Sequence, residues 1–229
     1  MPGSKAGARF FGPDVFRFLR ELERNNNREW FQRNKERFET EVKAPALRFI
    51  EAMGPRLARL SPHVVADPRP VGGSLYRIYR DIRFSKDKSP YKTWVGIHFA
   101  HERETSEVNL PGFAFVIYPG ECGVSSGIWH PSPPSLKRIR DAIVASPGAW
   151  GSVLGKGVKI LGESYVRVPA GYDPNHRYAD DLRRKDFYAR RPLSDQAIVS
   201  ASLGTEFEAA CRELNPLNQF LARAIAVPW

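Results

Sequence analysis

The sequence has little that would support a disulfide framework, a membrane span or a secretory leader. Its two cysteines, Cys122 and Cys211, are neither in a C-x-x-C pair nor near a histidine cluster, so we expect free thiols in a cytoplasmic protein. No apolar run approaches the ~20 residues that a membrane-spanning helix needs, so we expect no membrane partner. Residues 1–9 have no apolar core of the kind that signal peptides carry, and they predict a flexible end.

The motifs of familiar catalytic and metal sites are also missing. His98 and His101 with Glu102 and Glu104 would suggest a metal, but residues three apart on a strand face opposite sides, and no H-E-x-x-H motif occurs. The segment G-S-V-L-G-K-G-V (151–158) lacks the spacing of a phosphate loop. No serine or histidine lies in a motif that would build a nucleophilic triad. The sequence therefore predicts no metal and no cofactor, and it leaves the catalytic residues unknown.

Acidic residues are too few to balance the basic ones. The chain has 35 Lys and Arg against 25 Asp and Glu, which gives a net charge of +10. This charge favours anionic small molecules or polyanions as partners through long-range attraction. The cations concentrate in residues 76–94, here called the basic segment, which contains six cations and two anions. A second basic cluster (Arg183, Arg184, Lys185, Arg190 and Arg191) surrounds Phe187 and Tyr188.

The basic segment predicts a β-hairpin with a charged tip. Residues 75–84 are rich in Tyr, Ile and Phe and contain no Gly or Pro, which is typical of a strand. Residues 85–90 have the Ser, Asp and Pro content of a turn, and residues 91–100 alternate again like a strand.

Arg80 is the one charged residue on the face of this strand that we expect to point at the core. Strand alternation places it with Ile78, Ile82 and Phe84. A buried arginine needs charged or hydrogen-bonding partners, so we expect Arg80 to be mostly buried and bonded to a carboxylate. The candidate partners are Asp81, Glu29 and Glu36.

The rest of the chain predicts helices, then paired strands, then helices with isolated strands. Residues 112–118 and 122–129 predict antiparallel strands, and we expect the helices to end or bend at Gly54-Pro55 and at Asn215-Pro216. The last long helix is expected to begin at Ser194. This order favours an α+β fold, a mainly antiparallel sheet covered by helices, as a single domain over residues 10–229.

The basic segment also predicts an anion site. Arginine offers a planar fork of donors that matches phosphate or carboxylate, and lysine offers a flexible point charge. Asp81 lies among three arginines, so its charged form is favoured, which makes it a poor general base and a good orienter of arginines. The predicted ligand-binding residues are Arg77, Arg80, Asp81, Arg83, Lys88, Tyr91 and Lys92.

Three functions remain open from these residues, and the sequence does not decide whether the protein is an enzyme. The first is binding of an anionic, phosphate-bearing small ligand. The second is weak, nonspecific binding of nucleic acid through both basic clusters and their interleaved aromatic rings, although no known nucleic-acid module is recognisable. The third is a structural or adaptor role in which a solvated hairpin only aids solubility. The oligomeric state also stays open.

Two long motifs resemble those of a known family. R-I-Y-R-D-I-R-F-S-K-D-K-S-P-Y-K-T, within the basic segment, resembles the signature of an uncharacterised, mainly bacterial domain-of-unknown-function family, number twenty-four sixty-one. F-L-R-E-L-E-R-N-N-N-R-E-W-F-Q-R-N-K-E-R-F (18–38) resembles its opening motif, and the segments at 111–120 and 182–187 fit its later pattern. The resemblance implies one intracellular domain. It implies no known substrate, reaction or cofactor, so no catalytic residue is carried over.

Overall fold

A five-stranded antiparallel sheet organises the computed structural model, which describes residues 9–155 and 157–229. Its spatial order is β1-β2-β3-β5-β4, and every neighbouring pair is antiparallel. The strands are β1 (Val95–Phe99), β2 (Gly112–Ile117), β3 (Gly123–Ile128), β4 (Ile160–Leu161) and β5 (Phe187–Pro192). The predicted α+β class is confirmed. The first eight residues, which belong to the predicted flexible end, lie outside the described part of the chain.

Along the chain, helices precede and follow the first three strands. Before β1 come α1 (Asp14–Arg24), α2 (Arg28–Arg33), α3 (Lys35–Arg37), a π-helix (Phe38–Lys43) and α4 (Ala44–Ala58). After β3 come α5 (Pro133–Ala145), α6 (Pro147–Leu154), α7 (Ala179–Leu182), α8 (Asp195–Ile198) and α9 (Leu203–Ala224). Within the described ranges, no helix is long and apolar enough to cross a membrane. Both cysteines are buried and free.

Phe207 of α9 lies in the core on the helix-covered face of the sheet. Its ring centroid is 5.1 Å from that of Phe49 in α4, 5.4 Å from Phe99 in β1 and 5.5 Å from Phe115 in β2. All four rings are fully buried. Burial of such large apolar side chains is the main favourable term in folding, so this layer fixes α4 and α9 against the sheet.

The opposite face of the sheet carries small and polar residues, as strand alternation requires. Cross-strand pairing aligns His98 with Ala114 and Ala114 with Ser125. These three positions are half-buried, whereas their covered-face neighbours are buried. We call this the open face of the sheet.

The predicted break at Asn215-Pro216 is wrong, and no break occurs at Gly54-Pro55, where a bend or a break was predicted. Helix α4 continues through Pro55, and α9 continues through Pro216 to Ala224. Buried residues flank each proline, such as Leu214 and Leu217 beside Pro216, and this packing outweighs the lost backbone hydrogen bond. The predicted start of the last long helix at Ser194 is also wrong, because Ser194 caps the short α8 and α9 begins at Leu203.

The predicted strand over residues 75–84 is wrong as a continuous element. Only two isolated pairs form, Leu75 with Ile97 and Tyr79 with Tyr91. Phe84, predicted to point at the core, is 95% exposed. The basic segment is therefore an irregular loop, and its two halves are joined by isolated backbone hydrogen bonds instead of a continuous ladder.

Local side-chain hydrogen bonds explain why the strand fails. An oxygen of Asp81 accepts the backbone N–H of Arg83 at 3.2 Å, and an oxygen of Asp87 accepts that of Ser89 at 2.9 Å. Such aspartate-to-backbone bonds form turns and compete with a strand ladder.

Candidate functional site

The basic segment is attached to the N-terminal helices by Asn26. Its side-chain amide donates to the Tyr91 carbonyl at 2.9 Å, and its side-chain oxygen accepts the Tyr91 N–H at 3.1 Å. The Tyr91 ring stacks on Phe31, with centroids 4.1 Å apart and planes 21° apart. Tyr91, a predicted ligand-binding residue, is only 2% exposed, so its ring contributes to the core.

Arg80 forms an ion pair with Asp87. The carboxylate partner is of the predicted kind, but the predicted candidates Asp81, Glu29 and Glu36 are wrong. The sequence pattern placed Arg80 on a strand, whereas the turn brings Asp87 back to it. The Arg80 side chain is 27% exposed, so the pair lies at the surface of a cavity.

Asp81 pairs with Arg83, and their closest side-chain atoms are 2.6 Å apart. Hydrogen bonds from Arg83, together with the charge of Arg77, hold the pKa of the Asp81 carboxyl well below its usual range. Lys88, another predicted ligand-binding residue, donates from Nζ to the Ile82 carbonyl at 2.9 Å. These three charged side chains at the tip are therefore occupied by intramolecular bonds.

Lys92 lies where the basic segment meets the open face. Its Nζ donates to the Arg77 carbonyl at 2.7 Å and lies 5.5 Å from the ring centroids of both Tyr76 and Trp94. Burial, and secondarily the positive charge of Arg77, lower the pKa of Lys92. An anion beside Lys92 would offset both effects.

The first cavity, beside the basic segment, has a volume of about 480 Å³. Its charged lining residues are the carboxylates of Glu23, Asp81 and Asp87 and the cations of Arg80 and Lys92. The carboxylates outnumber the cations, so this cavity by itself does not favour a polyanion.

The second cavity, here called the groove, has a volume of about 350 Å³ and lies on the open face. Its floor consists of small residues on neighbouring strands and its walls are aromatic. The floor residues are Gly112, Ala114, Ser125 and Gly127, and the wall residues are Tyr76, Trp94, Trp129 and Tyr188.

Small residues on the sheet allow the aromatic rings to lie close to it. A Cβ at Gly96 would overlap the ring of Trp94 and lie 2.7 Å from Cδ2 of Tyr76. Gly127 has a φ of +125°, and a Cβ there would overlap the Phe187 carbonyl. Larger residues at these positions would displace the walls or the neighbouring strand.

His98 and Glu104 supply the polar groups of the groove. Nδ1 of His98 is 3.4 Å from Oε1 of Glu104, and Oε2 of Glu104 accepts the Leu110 N–H at 3.0 Å. Burial lowers the pKa of His98, and this outweighs the opposite effect of Glu104. Within residues 9–155 and 157–229, no cluster of three or more His, Cys, Asp or Glu could hold a metal ion.

The sequence profile of the family described as "Conserved hypothetical protein (DUF2461)" matches residues 14–220, from the first residue of α1 to Phe220 of α9. The chain belongs to this family. Comparison with curated proteins and with solved structures gives no match.

The DUF2461 match covers both cavities. Asn26 and Tyr91 lie in the two long motifs that resembled the family, and their hydrogen bonds show how these motifs fit together in space. These hydrogen bonds give part of both stretches a role in packing the basic segment.

In this DUF2461 chain four of the five cations of the second basic cluster pair with a carboxylate, and the fifth, Arg190, bonds to a carbonyl. Arg184 bonds to the buried Asp181 with atoms 2.9 Å apart, and Lys185 pairs with Glu163 at 3.1 Å. The remaining contacts join Arg183 to Asp180, Arg191 to Glu213 and Arg190 to the Glu121 carbonyl. Cations with such partners gain less from phosphate, because the existing pairs must first be broken.

The groove of this DUF2461 member was not predicted from the sequence. His98 and Glu104 were considered only as metal ligands, Tyr188 only as a stacking ring for nucleic acid, and Trp129 was not assigned to a site. A usable signal was present, because small residues recur at every second position of adjacent strands, as at Gly112 and Ala114.

Proposed function

We propose that the protein binds a small organic anion that contains a ring. The ring lies in the groove between aromatic side chains, and the anionic group, such as a phosphate, reaches Lys92 and Arg77. The observation that supports this most is the position of the Lys92 ammonium, 5.5 Å from two rings that wall the groove. Lys92 itself lines the first cavity, so in this proposal the anionic group of the ligand extends past these two rings to reach it.

The groove has the composition of a small-molecule site. Such sites are concave and mostly apolar, with a few polar groups that fix orientation. Four aromatic walls offer stacking surfaces, and the small floor leaves depth for a flat ring.

Arg77 is the best-placed second cation for the anionic group. Its side chain is exposed, and the Lys92 ammonium donates to its carbonyl at 2.7 Å, so the two residues are neighbours. Arg80 and Arg83, two other residues of the sequence-predicted site, already hold carboxylates. We therefore move the proposed anion contact from the tip of the basic segment to its junction with the open face.

Replacing Lys92 with methionine is expected to weaken binding of phenyl phosphate by at least about tenfold, because a charge-assisted hydrogen bond is worth about 1.5–3 kcal/mol. Methionine keeps an unbranched apolar stem over the rings. The measurement is a thermal-shift titration at fixed ionic strength, since a ligand of the folded state raises Tm by mass action.

Lys86→Met is the matched control, because Lys86 is exposed at the tip of the segment and the substitution changes the net charge equally. It should leave the phenyl phosphate response unchanged. A second pair separates shape from charge: Ala114→Phe should block the groove floor, whereas Ala209→Phe on the exposed side of α9 should not. Equal loss in both lysine variants, or full binding in Ala114→Phe, would contradict the proposal.

A further inference from the structure

His98 is oriented by its neighbours within the groove. The Glu104 carboxylate lies beside Nδ1, and the Leu110 N–H fixes that carboxylate through its other oxygen. The side chains of His98 and Glu104 are only 27% and 14% exposed. A carboxylate beside Nδ1 favours the tautomer that carries its proton there, which leaves Nε2 as an acceptor.

The Nε2 atom faces the floor of the groove. It lies 3.5 Å from the position that a Cβ would occupy on Gly112, so the absence of a side chain there leaves room beside Nε2. The His98 ring is also 6.1 Å from the Tyr76 ring, which is a wall of the same groove. A ring bound between these walls would therefore have its edge close to Nε2.

We propose that the groove selects ring-containing anions that carry a hydroxyl group, and that this hydroxyl donates a hydrogen bond to Nε2 of His98. Glu104 is a positioning residue that holds the accepting tautomer. This inference rests on the proposed function and specifies its ligand class. A half-buried acceptor left without a donor disfavours the analogue that lacks the hydroxyl.

The protonation state of His98 agrees with this role. Glu104, on the loop after β1, is the carboxylate beside the ring. Tyr76 faces the ring from the basic segment, and the Lys92 ammonium is 5.5 Å from the centroid of the Tyr76 ring. Burial lowers the pKa of His98, so its neutral form dominates at neutral pH. As the pH falls below about 6.5, the reference value for histidine, protonation progressively removes the acceptor, and the preference for hydroxylated ligands should decline.

The test compares matched ligands by thermal shift and calorimetry at neutral pH and constant ionic strength. One pair is 4-hydroxyphenyl phosphate and phenyl phosphate, with 4-methylphenyl phosphate as the isostere. The other pair is glucose 1-phosphate and cyclohexyl phosphate. Comparing the two pairs shows whether the groove prefers an aromatic ring or a sugar ring. We expect the hydroxylated member of at least one pair to bind about tenfold more tightly.

The preference, measured within each variant as the ratio of the affinities of the hydroxylated and the parent phosphate, should disappear in His98→Leu. His176→Leu is the control, because His176 lies on another loop and is not part of the groove lining. Equal affinities within both pairs, or a preference that survives His98→Leu, would overturn the inference. If no ring phosphate binds the wild type, the proposed function fails together with it.

A ligand-free measurement separates the two failures. Nitrogen-15 NMR of the histidine side chains should show His98 with a proton on Nδ1 and none on Nε2 at neutral pH. Glu104→Gln should increase the population of the other tautomer. A proton on Nε2 in the neutral wild-type ring would refute the role of His98 even if ring phosphates bind.

Discussion

Replacement of Asp186 by asparagine is expected to lower the free energy of unfolding by about 3 kcal/mol. The carboxylate is 1% exposed; one oxygen accepts the His130 N–H at 2.8 Å and the other accepts the Glu163 N–H at 3.0 Å. An amide would present its NH2 group to one of these donors. A part-buried backbone N–H and the buried NH2 group would then lack a partner, and each such group costs about 1–3 kcal/mol.

Urea unfolding measures this effect, with Asp180→Asn as the control. Asp180 undergoes the same chemical change six positions earlier, but its side chain is 84% exposed. We expect the control to remain within about 0.5 kcal/mol of the wild type. Similar midpoints for the two variants would show that Asp186 does not hold the ends of β3 and β4 together.

The second large effect is expected for Asn26→Ala, which should cost about 2 kcal/mol. The substitution removes both hydrogen bonds between the Asn26 amide and the backbone of Tyr91. The Tyr91 N–H and carbonyl then lose their partners next to a buried ring. The basic segment should open more often, because its attachment to the N-terminal helices is weakened.

Hydrogen exchange at the Tyr91 amide should become faster in Asn26→Ala, and urea unfolding should shift to a lower midpoint. Asn25→Ala is the neighbouring control, because its side chain donates to the Glu21 carbonyl at the exposed end of α1. It should leave exchange at Tyr91 unchanged. Protection at Tyr91 that persists in Asn26→Ala would show that the two Asn26 hydrogen bonds are not what holds the segment.

The central sheet could be predicted because its pattern is local. Residues 112–118 and 122–129 alternate between faces and are joined by a short turn, so period and turn chemistry both point to an antiparallel pair. The α+β class followed from the order of such segments. The position of β5 in the sheet could not be predicted, because β5 pairs with β3 across a long intervening stretch of chain.

The continuation of the helices through Pro55 and Pro216 could not be predicted, because it depends on contacts between distant parts of the chain. Local propensity favours a helix end at each proline. In the folded chain Leu217 and Leu221 continue the buried stripe of α9 beyond Pro216, and both are fully buried. Tertiary packing thus overrides a local signal, and the sequence pattern alone does not give its strength.

The candidate site was only partly predictable. The density of cations predicted an anion site in the basic segment, and two of its residues, Lys92 and Arg77, are anion contacts in the proposed function. The pairing of Arg80 with Asp87 depends on the path of a turn, which composition does not determine. The groove needs Trp129 and Tyr188 from different parts of the chain, so it exists only after the strands have been ordered.

The contact of residues 74–76 with β1 also affects how copies of the chain meet. The His98 N–H donates to the Ser74 carbonyl at 2.8 Å and the Tyr76 N–H donates to the Gly96 carbonyl at 2.9 Å, which occupies backbone groups on the outer edge of β1. The other edge strand, β4, is only two residues long. Short or occupied edges offer few unpaired groups to a strand from another molecule. The sheet is therefore protected from edge-to-edge aggregation at both of its margins.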